Sequence, residues 1–216
     1  VSNDASLIDY YAKRANEYEK IYSKPERQND LAKLKEIFQK TFAGHNVLEI
    51  ACGTGYWTYA ISQTAKSITA TDVNEEVLQI ARNKNYGCKV NFQKVDAFNL
   101  TLPENNFTAG LAAAWWSHLK KLEIENFLSR FHRQFPSGSL IAFMDNKFVA
   151  GSNTPISRTD NEGNTYQMRK LENGKQYEVL KNFPNKSEAR EFIGNSVAEF
   201  SWTELQYYWF LTYKLK

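Results

Sequence analysis

Apolar residues recur along the chain with two periods, and the change of period marks three regions. At the start, Leu7, Tyr10, Tyr11, Arg14 and Tyr18 fall on one helical face. Ser23-Lys24-Pro25 breaks the pattern, and Leu31, Leu34, Phe38 and Phe42 resume it, so the first forty residues read as two helices. From residue 46 short strands alternate with helices. Val47–Ile50 is an apolar strand running into a glycine turn, and Tyr56–Gln63 reads as a helix. Ile68–Thr71 is β-branched and strand-like; Asn74 is placed to cap a helix carrying Val77, Leu78 and Ala81, with Glu75 and Glu76 at its positive end. Val90–Lys94 and Phe107–Ala113 are further strands. Ile124, Phe127, Leu128, Phe131 and Phe135 mark an amphipathic helix that Pro136-Ser-Gly-Ser stops, and Leu140–Met144 is the next strand.

After residue 150 the pattern turns to hairpins. Tyr166–Leu171 and Gln176–Leu180 flank Asn173-Gly174, a strong turn signal. Ser187–Ile193 reads as a short helix, and Val197–Trp202 and Leu205–Leu215 as strands. Alternating strands and helices predict an α/β fold: a Rossmann-like, mainly parallel sheet flanked by helices. The tail is expected to add antiparallel strands to the C-terminal edge of that sheet. One domain spans residues 1–216, with N-terminal helices at 1–44, a core at 45–146 and a substrate-side tail at 147–216.

Composition narrows the class. Of 216 residues, 42% are hydrophobic and 24% charged, an ordinary globular balance. A net charge of +3 gives no ground for expecting nucleic acid as a partner, although the pI near 8.7 does not exclude it. Cys52 and Cys88 form neither a disulfide framework nor a zinc-site spacing, and no metal site is expected. No apolar run is long enough to span a membrane. The polar start, Val-Ser-Asn-Asp, lacks the core of a signal peptide, and the chain does not begin with Met. These features predict a soluble cytoplasmic protein.

The main chemical signal is Val47-Leu-Glu-Ile-Ala-Cys-Gly-Thr-Gly-Tyr-Trp57. A strand runs into Gly53 and Gly55 and then into a helix, whose first N–H groups and positive dipole end face any ligand at the strand's carboxyl end. A dinucleotide fingerprint needs a third glycine three residues after Gly55, where Thr58 stands. Glu49, before the glycines, suits a ligand with an ammonium group rather than a pyrophosphate. Asp72 closes the second strand, where a carboxylate can accept from both ribose hydroxyls; alone, it could equally begin the next helix. Asp96 follows the third strand in Val95-Asp-Ala-Phe98, positioned to accept from an adenine amino group with Phe98 against the base. Alone it is as readily a turn residue.

Taken together, these strand ends resemble the class I S-adenosylmethionine-dependent methyltransferases, small-molecule type, from about residue 8 to residue 146 and more loosely to the end. The resemblance implies S-adenosyl-L-methionine as cofactor. The stretch Ala51, Gly53, Thr54, Gly55 and Trp57 would lie beside its methionine part with Glu49. Asp72 and Val73 would hold the ribose, and Asp96, Ala97 and Phe98 the adenine. Trp57 departs from the pattern, standing where many members have a third glycine. The segment Tyr10-Tyr11-Ala-Lys-Arg-Ala-Asn-Glu-Tyr18 is similar to the N-terminal helix that forms a lid in small-molecule members, which implies cofactor contacts for Tyr11 and Tyr18; aromatic packing on the sheet accounts for them equally.

The fourth strand ends in Ala112-Ala-Ala-Trp-Trp-Ser-His118, and the resemblance places that end at the methyl group. Ala113 and Ala114 leave room for a ligand. Trp115 and Trp116 can offer ring faces to a sulfonium or to an aromatic acceptor, although one of the pair is expected in the core. His118 is the candidate general base, with a surface or capping role as the competing reading. His132 is expected to face solvent. Asp145 and Asn146 end the fifth strand on the ligand side. In the tail, Arg158, Tyr166 and Arg169 are candidate substrate contacts. Tyr166 and Met168 must share one strand face and Gln167 and Arg169 the other, and an arginine there could hold an anion.

The reading is methyl transfer to an oxygen or nitrogen of a small, aromatic molecule by a monomer or homodimer. RNA or protein methylation is a second reading, and a non-catalytic cofactor-binding protein of the same fold a third.

Overall fold

A computed structural model describes residues 5–102 and 106–216. The polar residues 1–4, read above for a signal peptide, lie outside the described residues. The chain opens with α1 (Ala5–Arg14), continues as 3-10 helix over Ala15–Ser23 and Pro25–Arg27, and enters α2 (Gln28–Phe42). The face drawn from Leu7 to Tyr18 therefore does not lie on one α-helix; it changes pitch after Arg14. Leu31, Leu34, Phe38 and Phe42 of α2 are buried, as their spacing requires.

The core follows as β1 (Asn46–Ile50), α3 (Tyr56–Ser62), β2 (Ser67–Asp72), α4 (Glu75–Arg82), β3 (Lys89–Lys94), β4 (Ala109–Ala113), α5 (Ile124–His132) and β5 (Leu140–Asn146). Then come β6 (Arg158–Thr159), β7 (Thr165–Lys170), β8 (Gln176–Leu180), α6 (Lys186–Ile193), β9 (Val197–Glu204) and β10 (Tyr208–Leu215). Seven strands form one sheet in the order β3-β2-β1-β4-β5-β10-β9. The first five are parallel, and β10 and β9 are antiparallel at one edge. Strand β4 is buried at every position, which explains its run of small apolar residues: Phe131 and Phe135 press on Gly110, where an added Cβ would lie 2.5 Å from Phe135.

Three expectations need correction. The tail does not all join the main sheet. Strands β6, β7 and β8 pair only among themselves as a second, three-stranded antiparallel sheet, because the hairpin at Asn173-Gly174 folds back over the carboxyl ends of the parallel strands. It packs there on α1 through Tyr10, Leu171, Tyr177 and Val179. Asn74 does not cap α4 with its side chain, which instead donates to the carbonyl of Ile8 at 3.3 Å. His132 is also not solvent-facing: Nε2 lies 2.6 Å from the Tyr213 hydroxyl, and burial lowers its pKa to about 4.

Among the described residues, no helix is long and apolar enough to cross a membrane, and no group of three His, Cys, Asp or Glu could hold a metal ion.

Candidate active site

The strand order reverses between β1 and β4, and open α/β sheets bind ligands in the crevice outside such a switch point. Here the residue following each of those two strands is an alanine in left-handed conformation: Ala51 at φ 53° and Ala114 at φ 55°. That conformation costs an L-residue about 1–2 kcal/mol. Held side by side at the switch point, the two turns leave a crevice bounded by methyl groups rather than by larger side chains.

A cavity opens there. Of the predicted residues, Ala51, Gly53, Asp72, Val73, Asp96, Ala97, Phe98, Ala114, Trp115 and His118 line it, and Tyr11 and Tyr18 cover it from the N-terminal segment. Leu7, Ile8 and Val77 add an apolar wall that carries no motif and was missed. Asp72 ties the glycine turn together: Oδ2 accepts from Gly53 N–H and Oδ1 from Asn74 N–H, both at 2.9 Å. Burial nevertheless raises its pKa to about 6. Each oxygen can accept a further bond. Asp96 Oδ1 accepts from Phe98 N–H at 2.9 Å, which sets the Phe98 ring against Trp115.

Several predicted residues lie elsewhere. Glu49 does not line the cavity. Its side chain points under the turn, where Oε2 accepts from Thr58 Oγ1 at 2.7 Å, and burial raises its pKa to about 8, so it is uncharged at neutral pH. Gly55, at φ 79°, takes a backbone conformation that other residues rarely adopt, and a Cβ there would press on the Tyr86 hydroxyl and Ala81. Thr54 donates to Glu19 at 2.6 Å, joining the turn to the 3-10 segment above it. Trp57 is buried against Phe38 and Tyr22, and Ala113 lies in the core. Trp116 packs edge-on against Phe143 and Trp209 in the core. Arg158 and Tyr166 face outward, with Arg158 paired to Glu178 at 2.6 Å and set over the Tyr166 ring.

A second cavity adjoins the first, and Tyr11, Tyr18, Ala114 and His118 line both. His118 stands at the junction. Its Nδ1 lies 2.8 Å from the carbonyl of Leu180, which can only accept, so Nδ1 carries the proton. Nε2 is then an acceptor, and the Tyr11 hydroxyl donates to it at 2.8 Å. Burial, with Lys181 and Arg169 nearby, holds the His118 pKa well below its usual range, so the ring is neutral; burial likewise raises that of Tyr11, which keeps its proton. Arg169, as predicted from strand alternation, shares its face with Gln167, and reaches Tyr11 at 3.4 Å.

Asp145 is wholly buried behind this junction. It accepts from Ser117 N–H and from the Lys181 ammonium, both at 2.9 Å, and Lys181 also donates to Ser117 Oγ at 2.5 Å. Burial opposes the charge of Asp145, yet Lys181 holds its pKa down at about 2. Asp145 thus supports the loop carrying His118 and does not line either cavity.

The first cavity suits S-adenosylmethionine. Its apolar slot matches a flat base, Asp72 and Asp96 offer acceptors for hydroxyl and amino donors, and Asp72, Asp96 and Glu123 outnumber the single Lys120, as a cationic ligand requires.

Fold and site match those of the class I S-adenosylmethionine-dependent methyltransferases, and a methyltransferase-domain family model matches residues 47–138. Among solved structures, the chain is similar to DhpI in complex with SAH, at 27% identity and a TM-score of 0.77, over 98% of this chain and 96% of that one. It is likewise similar to DhpI in complex with SAM and HEP, at 24% identity and a TM-score of 0.81 over 99% of both chains. The magnesium protoporphyrin IX methyltransferase ChlM of Synechocystis PCC 6803, with bound SAM, shares the fold at 13% identity and a TM-score of 0.66, over 100% of this chain and 98% of that one. A search of curated proteins found no match to the sequence.

Proposed function

We propose that this protein transfers a methyl group from S-adenosylmethionine to an oxygen or nitrogen of a small molecule held in the second cavity. The observation that carries the reading is the junction: two cavities of different character meet at Ala114, Tyr11, Tyr18 and His118. When bound, the cofactor would supply a methyl group activated by the sulfonium: an in-line nucleophile would bond to the methyl carbon as the carbon–sulfur bond breaks, with S-adenosylhomocysteine as the leaving group. The chain's task is alignment and exclusion of water. Ala114 leaves room at the junction, while Tyr11 and Tyr18 cover it. Where the acceptor is a neutral hydroxyl, its proton passes to the Tyr11 oxygen as the Tyr11 proton passes to His118 Nε2, so His118 is the base and Tyr11 the relay. A DhpI structure contains both SAM and HEP, which is consistent with a small acceptor beside the cofactor in this fold. Asp72 and Asp96 are the proposed anchors for ribose and adenine. The aromatic acceptor expected from Trp115 and Trp116 loses the support of Trp116, which packs in the core; the rings of the second cavity are Tyr10, Tyr11 and Tyr18. Free thiols at Cys52 and Cys88 suit a reducing, cytoplasmic setting.

Calorimetric titration with S-adenosylhomocysteine tests the reading. One site per chain is expected, with a stabilisation of about 2.7 kcal/mol at a hundred times the dissociation constant. Asp72→Ala should abolish that binding. A folded wild type that binds neither S-adenosylhomocysteine nor S-adenosylmethionine would overturn the proposal.

A further inference from the structure

The two cavities carry opposite charge. Three carboxylates and one lysine line the first; seven basic side chains and a single acid, Glu17, line the second. The way the fold treats these bases differs from one to the next. Lys181 has Asp145, and Lys20 has Glu172. Arg27 has no such partner. It is only 5% exposed, yet every group it touches is neutral: Ser152 Oγ at 3.0 Å, Asn146 Oδ1 at 2.9 Å, Asn153 Oδ1 at 3.4 Å, and the rings of Tyr207 and Tyr208. Arg169 is similar: it donates to Gln167 Oε1 at 2.8 Å and to the Tyr11 hydroxyl. Lys24 donates to the carbonyl of Ser152. None of Arg27, Arg169 and Lys24 forms a direct ion pair among the described residues; exposed Glu26 acts on Arg27 and Lys24 by charge from beyond Ser152, whose hydroxyl donates to it at 2.8 Å, and Arg169 has only neutral hydrogen-bond partners.

A buried charge held only by neutral dipoles is costly, and folds normally pair it. Removing Lys181 and Lys20 with their partners still leaves the second cavity strongly positive. Guanidinium groups are suited to planar, bidentate contact with oxyanions, and a rigid site aims their N–H groups without further loss of entropy. Arg27 is fixed by α2 and the loop after β5, and Arg169 by the second sheet, so the two approach the cavity from different elements.

We propose that the second cavity is an oxyanion site, and that the methyl acceptor is a small molecule carrying a carboxylate, phosphate or phosphonate group held by Arg169 and Arg27. This rests on the proposed function only for what occupies the first cavity. An anion so placed also faces a cofactor whose sulfonium is positive, and attraction between the two in a water-poor site favours the ternary complex.

The test is calorimetric titration of the wild-type protein, with and without saturating S-adenosylhomocysteine, using inorganic phosphate, methylphosphonate and acetate as probes at constant ionic strength. Saturable binding of at least one probe, one per chain, is expected. Acetate alone would identify a carboxylate site, and phosphate or methylphosphonate a tetrahedral one. Arg169→Gln should weaken that binding about tenfold or more, the loss typical of one charged hydrogen bond, and leave S-adenosylhomocysteine affinity unchanged. Arg27→Gln should do the same where its thermal melt shows it folded; Arg169, less buried, provides the test if it is not. Binding of none of the three anions, or binding that Arg169→Gln leaves intact, would overturn the proposal, as would displacement of the bound anion by a single-stranded oligonucleotide. Because the readout needs no turnover, a protein that binds anions but no cofactor would refute the proposed function and leave this site standing.

Discussion

The Tyr11 hydroxyl donates to Nε2 of His118 across 107 residues of sequence, at 2.8 Å. The bond joins the helix that covers the two cavities to the segment that follows β4. Burial first, then the charges of Lys181 and Arg169, keep the ring neutral, and Tyr11 fills the lone pair this leaves free.

Tyr11→Phe should leave the His118 pKa low, because burial, Lys181 and Arg169 still act on the ring. Nuclear magnetic resonance titration of the histidine ring would read it, with His132, near 4, as the internal control. With a neutral hydroxyl acceptor, kcat should fall in Tyr11→Phe as the relay is broken. A His118 pKa that rises to its ordinary value in Tyr11→Phe would show that the hydroxyl, rather than burial, keeps the ring neutral.

Glu49 makes a prediction about stability. Its folded pKa is about 8, above its unfolded value near 4.5, so the folded state binds the extra proton between those values. Stability from this group is present at low pH and is lost as pH rises towards and through 8. Between pH 7 and 8 His118 and His132 are neutral in the folded state and the Asp72 pKa, about 6, lies below the window. Glu49 should then cost about 1 kcal/mol over that unit. Denaturant melts of the ligand-free protein at pH 7 and 8 should show the decline, and Glu49→Gln should remove it. A wild type with no decline would place the Glu49 proton elsewhere.

Lys181 and Asp145 behave as a unit. Asp145→Asn leaves a buried ammonium without its counter-charge, and the loss should be about 3–5 kcal/mol. Asp145→Asn with Lys181→Met should recover much of it, because the uncompensated charge is then absent. Urea unfolding of the two variants separates these outcomes, and equal losses would mean the pair contributes through packing alone.

Much of this was legible locally. The parallel core follows from strands and helices in alternation, and Asp72, Asp96 and the alanines of β4 are strand-end residues whose position follows from the strand itself. Glu49 was misread because an acid before a glycine turn looks ligand-facing, whereas strand pleating turns it under α3 to Thr58. Arg27 and Lys181 left no signal. One follows a proline break and the other ends a hairpin, and only folding brings them to the same cavity. The hairpin's pairing was legible from Asn173-Gly174, but its separation from the main sheet was not, since that depends on Tyr10 and Tyr177 meeting across the chain.

The second sheet, set between β5 and α6, brings Gln167, Arg169 and Lys170 to the second cavity and contributes no strand to the parallel core. If that cavity takes the acceptor, as proposed, a new acceptor would call for changes in this inserted sheet rather than in the parallel strands. Two anchors would have to be kept through any such change, Leu180 on His118 and Lys181 on Asp145.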